Sequence, residues 1–162
     1  MIESELKFLV AQVPDLGPLE HEPIDQHYLS EPPQSLRIRR IGGRCEITKK
    51  FALASGDRTT KEELTIPLRA DEYDRLRPLA LRSLQKTRYY VPLPGGLTAE
   101  LDVFHGPLAG LVLVEVEFPD DAAQAGFTPP AWFGRGVSQE RWSSNSKLAG
   151  KTFVELLPFV RQ

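Results

Sequence analysis

Apolar and charged positions alternate with a period of two along most of this chain. From residue 2 to 10, Ile2, Leu6, Phe8 and Val10 share one side with Ser4, while Glu3, Glu5 and Lys7 share the other. Strand side chains point alternately to opposite faces, so this pattern predicts a half-buried strand. It recurs at Ser35 to Ile41, Arg44 to Phe51, Lys61 to Leu68, Leu84 to Leu93, Leu97 to Phe104 and Leu111 to Phe118, with a shorter run at Gln26 to Leu29. Gly42-Gly43 predicts a two-residue hairpin turn. That turn sets Ile41 opposite Arg44, Arg39 opposite Glu46 and Arg37 opposite Thr48.

About eight strands follow from this reading, joined by loops such as the Pro-rich stretch from Pro14 to Asp25 and the segment Ala52 to Thr59. Helical pattern is confined to short pieces. Asp71 is placed to cap a helix that ends before Pro78, and Asp120 to cap one closed by Gly126. Ser138 is placed to cap a longer helix reaching about Ala149, within a C-terminal helical segment spanning about 138–157. The expected class is α+β but mostly β, with residues 1–162 forming one domain.

The charged faces are the unusual feature. Like charges recur two residues apart at Glu3/Glu5, Arg37/Arg39, Lys86/Arg88, Glu100/Asp102 and Glu115/Glu117. Neighbours at that spacing lie roughly 6–7 Å apart. Their repulsion is mild in water but reaches roughly 2–3 kcal/mol at an effective dielectric near 20. An eight-stranded antiparallel closed β-barrel would turn one face of every strand inward and gather these groups in one lumen. Its acids would suit hard divalent cations, and its bases a polyanion.

Composition narrows the field. The formal net charge is −2, without the basic excess that drives nucleic-acid binding. No apolar run approaches the roughly 20 residues of a membrane span, and no leader pattern is seen. A single cysteine, Cys45, permits no internal disulfide and suits a reducing cytoplasmic setting. Oligomeric state is left open.

The ordered set Glu3-Ser4-Glu5-Leu6-Lys7, Arg37-Ile38-Arg39, Thr48-Lys49-Lys50, Lys86-Thr87-Arg88-Tyr89, Glu100-Leu101-Asp102 and Glu115-Val116-Glu117 resembles the CYTH domain, the triphosphate tunnel metalloenzymes, and is most similar to its short bacterial tripolyphosphatases. The resemblance runs from Ile2 to about Ala149. It implies a divalent-metal-dependent triphosphatase using Mg²⁺ or Mn²⁺ and cleaving inorganic tripolyphosphate, or another triphosphate, inside an eight-stranded tunnel. Lys7, Arg37, Arg39, Lys50, Lys61, Lys86 and Arg88 would then grip phosphate. Glu3, Glu5, Glu63, Asp102, Glu115 and Glu117 would serve the metal. Lys7 with Tyr28 would activate water.

The chain also departs from the family pattern. Lys61 and Thr65 stand where an arginine and a carboxylate are usual, and Ser144 and Ser146 where lysines are frequent, while Asn145 is kept. Adenylate cyclase activity, thiamine triphosphatase activity and non-catalytic polyphosphate binding are the alternatives. The remaining candidates have structural readings. Cys45 reads as a small buried hydrophobe, His21 and His105 as turn residues, and Gly134-Arg135-Gly136 as a turn. Trp132 and Trp142 read as packing groups, and no His spacing suits zinc.

Overall fold

Most of the alternating runs form strands whose apolar sides find hydrocarbon on the outside of a curled sheet, whereas Leu64 and Ile66 stay exposed. A computed structural model describes residues 2–32, 35–52 and 60–161; the side chains of Ile2, Glu3, Ala52, Thr60 and Lys61 lie outside the described set. The strands are β1 (Ile2–Val10), β2 (His21–Tyr28), β3 (Ser35–Ile41), β4 (Arg44–Ala52), β5 (Thr60–Leu68), β6 (Arg82–Pro92), β7 (Thr98–Phe104), β8 (Val112–Phe118) and β9 (Phe133–Gly136). The helices are α1 (Ala70–Leu76), α2 (Asp121–Ala125), α3 (Asn145–Leu148) and α4 (Phe153–Val160). The fold is α+β and mostly β.

All nine strands belong to one antiparallel sheet of order β5-β4-β3-β2-β6-β7-β8-β1-β9. At its far ends β1 also pairs with β5, from Ile2 opposite Glu62 to Ser4 opposite Thr60. The Gly42-Gly43 hairpin has the expected register, with Arg37 opposite Thr48, Arg39 opposite Glu46 and Ile41 opposite Arg44. Gly42 takes a φ of 55°, a left-handed conformation that glycine adopts without steric cost.

Three apolar clusters frame the sheet. Phe8, Leu101, Val114, Val116 and Phe118 pack on the outer side of β1, β7 and β8 under Phe133. Ile38 and Cys45 pack beneath Tyr73 of α1, which agrees with the buried reading of Cys45. Tyr28, Leu84, Phe104 and Leu113 join Val137, Leu148 and Leu156 to close one end of the inner face. Fully burying side chains of this size stabilises the fold by roughly 1.5–3 kcal/mol each. Among the described residues, no helix is long and apolar enough to cross a membrane.

Several expectations need correction. Among the described residues nine strands form where about eight are expected, because Phe133-Gly134-Arg135-Gly136 is a strand and not a turn. A Cβ on Gly134 would lie 3.2 Å from the Leu9 carbonyl oxygen, so the missing side chain lets β9 approach β1. The helix expected from Ser138 to about Ala149 is broken into a 3-10 turn at Arg141–Ser143 and the four-residue α3, and α4 then runs past 157 to Val160. The cause lies in the serines. Ser138 spends its hydroxyl on the backbone N–H of Lys7, and Ser144 caps α3 by accepting from the N–H of Lys147. His21 opens β2 and stacks on Tyr89 with ring centroids 5.0 Å apart. The expected helices at 71–77 and after Asp120 are present as α1 and α2, and the Asp120 side chain caps the second. The loop expected over residues 52–59 lies almost wholly outside the described residues.

Candidate active site on the inner face of the sheet

Residues directly opposed across antiparallel strands project to the same side. The registers therefore carry one face around the sheet: Lys7 faces Glu115, Glu115 faces Glu100, Asp102 faces Arg88, Ile24 faces Lys86, and Tyr28 faces Arg37. Arg37 continues it to Thr48, and Lys50 to Glu63. Every site residue expected from the sequence whose side chain is described stands on this face. Glu3 and Lys61 are opposed in the β1–β5 pairing, but their side chains lie outside the described residues.

The wall made by β6, β7, β8 and β1 is a continuous ionic network. Lys86 Nζ donates to Asp102 Oδ2 at 2.5 Å, and Arg88 donates to both Asp102 oxygens at 2.8 Å. Arg88 also reaches Glu100 at 2.5 Å and Glu115 at 3.7 Å. Lys7 Nζ lies 3.1 Å from Glu115 Oε1 and donates to the Ser143 carbonyl at 2.9 Å. Lys86 and Asp102 are each only 1% exposed, so water relieves little of the charge of these two.

Burial and pairing compete in setting the protonation states. Burial would raise the Asp102 carboxyl, but Arg88 and Lys86 hold it below the ordinary carboxylate range. Glu115 is likewise buried, and Lys7 and Arg88 hold it well below that range. Glu100 goes the other way, pushed up by burial and by Glu115 and Asp102 against the pull of Arg88. Burial draws the Lys86 ammonium down to about 8 despite Asp102. Burial also works against the Lys7 charge, yet Glu115 and Glu5 raise it overall. These opposed shifts mark groups held in defined states by their surroundings.

The wall made by β3, β4 and β5 is built differently. Arg37 and Arg39 project side by side from β3, and burial together with Arg37 lowers the Arg39 guanidinium. Arg39 Nε donates to Glu46 at 2.9 Å, and Lys50 lies 3.3 Å from Glu63. Thr65, where a carboxylate is usual, shares a 2.9 Å hydrogen bond with Thr48 and donates to Glu63 at 2.9 Å.

Tyr28 stands deeper. It is 1% exposed within the apolar end cluster, its hydroxyl accepts from Gln26 Nε2 at 3.1 Å, and the Arg82 guanidinium lies 5.5 Å from its ring centroid. Trp132 packs edge-on against Phe133, and Trp142 stacks on Phe159 of α4, as packing groups do.

A family model described as the CYTH domain matches residues 1–127. The chain belongs to the CYTH domain family. A relative from Nitrosomonas europaea named inorganic triphosphatase is 43% identical over 153 residues, spanning 92% of this chain and 97% of its own length. Another inorganic triphosphatase, from Acetivibrio thermocellus, is 32% identical over 116 residues, covering 71% of each chain. The crystal structure of the inorganic triphosphatase NE1496 superposes with a TM-score of 0.66 at 38% identity, over 91% of this chain and 93% of that one. The putative adenylyl cyclase HpAC1 from Hippeastrum matches at a TM-score of 0.55 and 14% identity, over 77% of this chain and 82% of that one, a likeness of fold alone.

Sequence reasoning singled out Asn145 but missed what it and its neighbours touch. Ser143 and Asn145 reach the lysines of the wall from the C-terminal segment, and Arg82 is anchored to the carbonyls of Ser30 and Ser146. Glu22 accepts from Tyr90 Oη at 2.7 Å at the opposite end of the face. No local signal marks the C-terminal contacts, because their partners are far away in the chain. Glu46 was findable, since the hairpin register already sets it opposite Arg39.

Proposed function

We propose that this chain is a divalent-metal-dependent triphosphatase whose most direct substrate is inorganic tripolyphosphate, cleaved to pyrophosphate and phosphate. The observation that carries the reading is the gathering of buried acids and bases on one inner face, with apolar packing kept outside and at one end. The 43% identical inorganic triphosphatase supports the same substrate class. In this reading the sheet closes into a tunnel through the short β1–β5 pairing, with β9 outside the ring.

Arg37, Arg39, Lys50, Lys61, Lys86 and Arg88, with Lys7, would hold the phosphate oxygens. Guanidinium groups suit this task because their forked donors match phosphate geometry. The donor chemistry also fits Mg²⁺ or Mn²⁺. Glu5 is opposed by Glu117 and Glu100 by Glu115, and neither sulfur nor imidazole stands among the proposed ligands. Among the described residues no three such ligands already converge on one point. Glu3, Glu5, Glu63, Asp102, Glu115 and Glu117 would hold the ion, which supplies charge neutralisation at the phosphate oxygens when bound.

Phosphoryl transfer asks the protein mainly for positioning and charge stabilisation. Water attacks the terminal phosphorus, the bridging P–O bond breaks, and pyrophosphate leaves. Lys7 and Tyr28 would orient that water and take its proton. Because Glu115 holds the Lys7 ammonium in its charged form, Lys7 must leave that carboxylate before it can act as a base.

The test is phosphate release from tripolyphosphate, thiamine triphosphate and ATP with Mg²⁺ or Mn²⁺, with product analysis and an EDTA control. Equimolar pyrophosphate and phosphate from tripolyphosphate, abolished by EDTA, is the expected outcome. Cyclic AMP from ATP, or binding without turnover, would replace this reading.

A further inference from the structure

The C-terminal segment touches the charged wall from below at several points. Val137 N–H donates to the Lys7 carbonyl at 2.8 Å, and Lys7 N–H donates to Ser138 Oγ at 2.8 Å. The ammonium of the same lysine donates to the Ser143 carbonyl at 2.9 Å. Lys7 is thus held at its backbone and at its tip by a stretch of seven residues, Val137 to Ser143. The next residue but one, Asn145, accepts from Lys86 Nζ through Oδ1 at 3.4 Å. Leu148 and Ala149 then bury themselves against Tyr28, Leu84 and Phe104, which fixes the segment in place. The family model ends at residue 127, so these contacts lie beyond the part of the chain that it describes.

Both acceptors are neutral. A flexible lysine needs an acceptor to hold its direction, and Glu115 and Asp102 already supply carboxylates to Lys7 and Lys86. A backbone carbonyl and a side-chain amide add direction without cancelling more of the positive charge. A third carboxylate here would weaken the attraction of both lysines for a phosphate chain.

We propose that Asn145 is a positioning residue of the triphosphate site: with the Ser143 carbonyl it aims the buried ammonium groups of Lys86 and Lys7 while leaving their charge available to the anion. The inference rests on the triphosphate reading of the inner face and adds a residue to it.

The test uses the full chain, Asn145→Asp, Asn145→Ala, and Ser144→Ala, which removes the α3 cap without touching either lysine. Tripolyphosphate binding is measured by calorimetry, folding by thermal denaturation, and turnover by phosphate release. Asn145→Asp should weaken binding roughly tenfold and Asn145→Ala roughly threefold, both in KM more than in kcat, because the change acts on charge and aim. Ser144→Ala should lower the melting temperature and leave binding unchanged. Folded Asn145→Asp that binds tripolyphosphate within twofold of the parent chain would overturn the proposal, as would an equal loss in Ser144→Ala. Binding that weakens as expected in a chain releasing no phosphate would support the positioning role and count against the triphosphatase reading alone.

Discussion

The two walls of the inner face carry the same kinds of residue in opposite proportion. On β6, β7, β8 and β1, the described acids Glu5, Glu100, Asp102, Glu115 and Glu117 outnumber Lys7, Lys86 and Arg88. On β3, β4 and β5, the bases Arg37, Arg39 and Lys50 outnumber Glu46 and Glu63. Asp102, at the heart of the first wall, is sealed from water, whereas Thr65, which faces Thr48 on the second, is exposed. The lesson is that a protein can hold an ionic lining in two ways. The acid-rich wall pairs each of its bases with its own carboxylates before any ligand arrives and keeps a surplus of acid. The base-rich wall keeps a surplus of positive charge, which is what an entering polyanion meets.

The strongest way to break this contrast is Asp102→Ala. It strands Lys86 and Arg88 beside each other without water, so unfolding in urea should show a loss of about 3–5 kcal/mol. A stability change under 1 kcal/mol would mean that the wall is not organised by that carboxylate. Lys7→Ala and Glu5→Gln come next. Phosphate release should fall roughly a hundredfold or more, with circular dichroism of the strands preserved.

Arg37→Ala probes the opposite wall. Tripolyphosphate affinity should drop about tenfold, with a smaller cost in stability than Asp102→Ala incurs, since Asp102 alone holds two buried bases. Equal stability losses for the two variants would erase the difference between the walls.

The smallest effect lies away from the site, on the outer side of β2. Asp25 bonds His27 at 2.8 Å and Tyr73 Oη at 2.9 Å. Burial opposes its charge, but these hydrogen bonds lower its carboxyl to about 2. A lowered carboxyl stabilises the folded chain above its ordinary value near 3.8, and that contribution disappears as the pH falls through about 2. Stability curves of the parent and Asp25→Asn should therefore lie apart at neutral pH and converge between those limits.

Much of this was legible in the sequence because the period-two pattern is local. The Gly42-Gly43 turn alone fixes which residues of β3 and β4 share a side, and the like-charged pairs mark that side as unusual. Asp120 and Gly126 bracket α2 by capping chemistry that needs no knowledge of the fold. Other features depend on contacts across the molecule. β9 is a strand because Gly134 lets the backbone come against Leu9, which a reading of Gly-Arg-Gly in isolation takes for a turn. The break after Ser138 follows from a hydroxyl engaged by Lys7, 131 residues away in sequence. The two lysine contacts of the C-terminal segment were hidden for the same reason. A sheet that curls to enclose its lining is inferred from alternation, but the pairing of β1 with β5 is a tertiary fact.

The placement of β1 also bears on how the molecule is made. Leu6 pairs with Val116, and the Lys7 side chain reaches a residue 136 positions later. During synthesis this strand leaves the ribosome well before β8 and the C-terminal segment exist, and its apolar flank waits beside an unfilled row of backbone donors and acceptors. Assembly must therefore wait for those later residues and proceed through slow long-range closure, and a nascent chain stalled before residue 112 would be the species most in need of a chaperone.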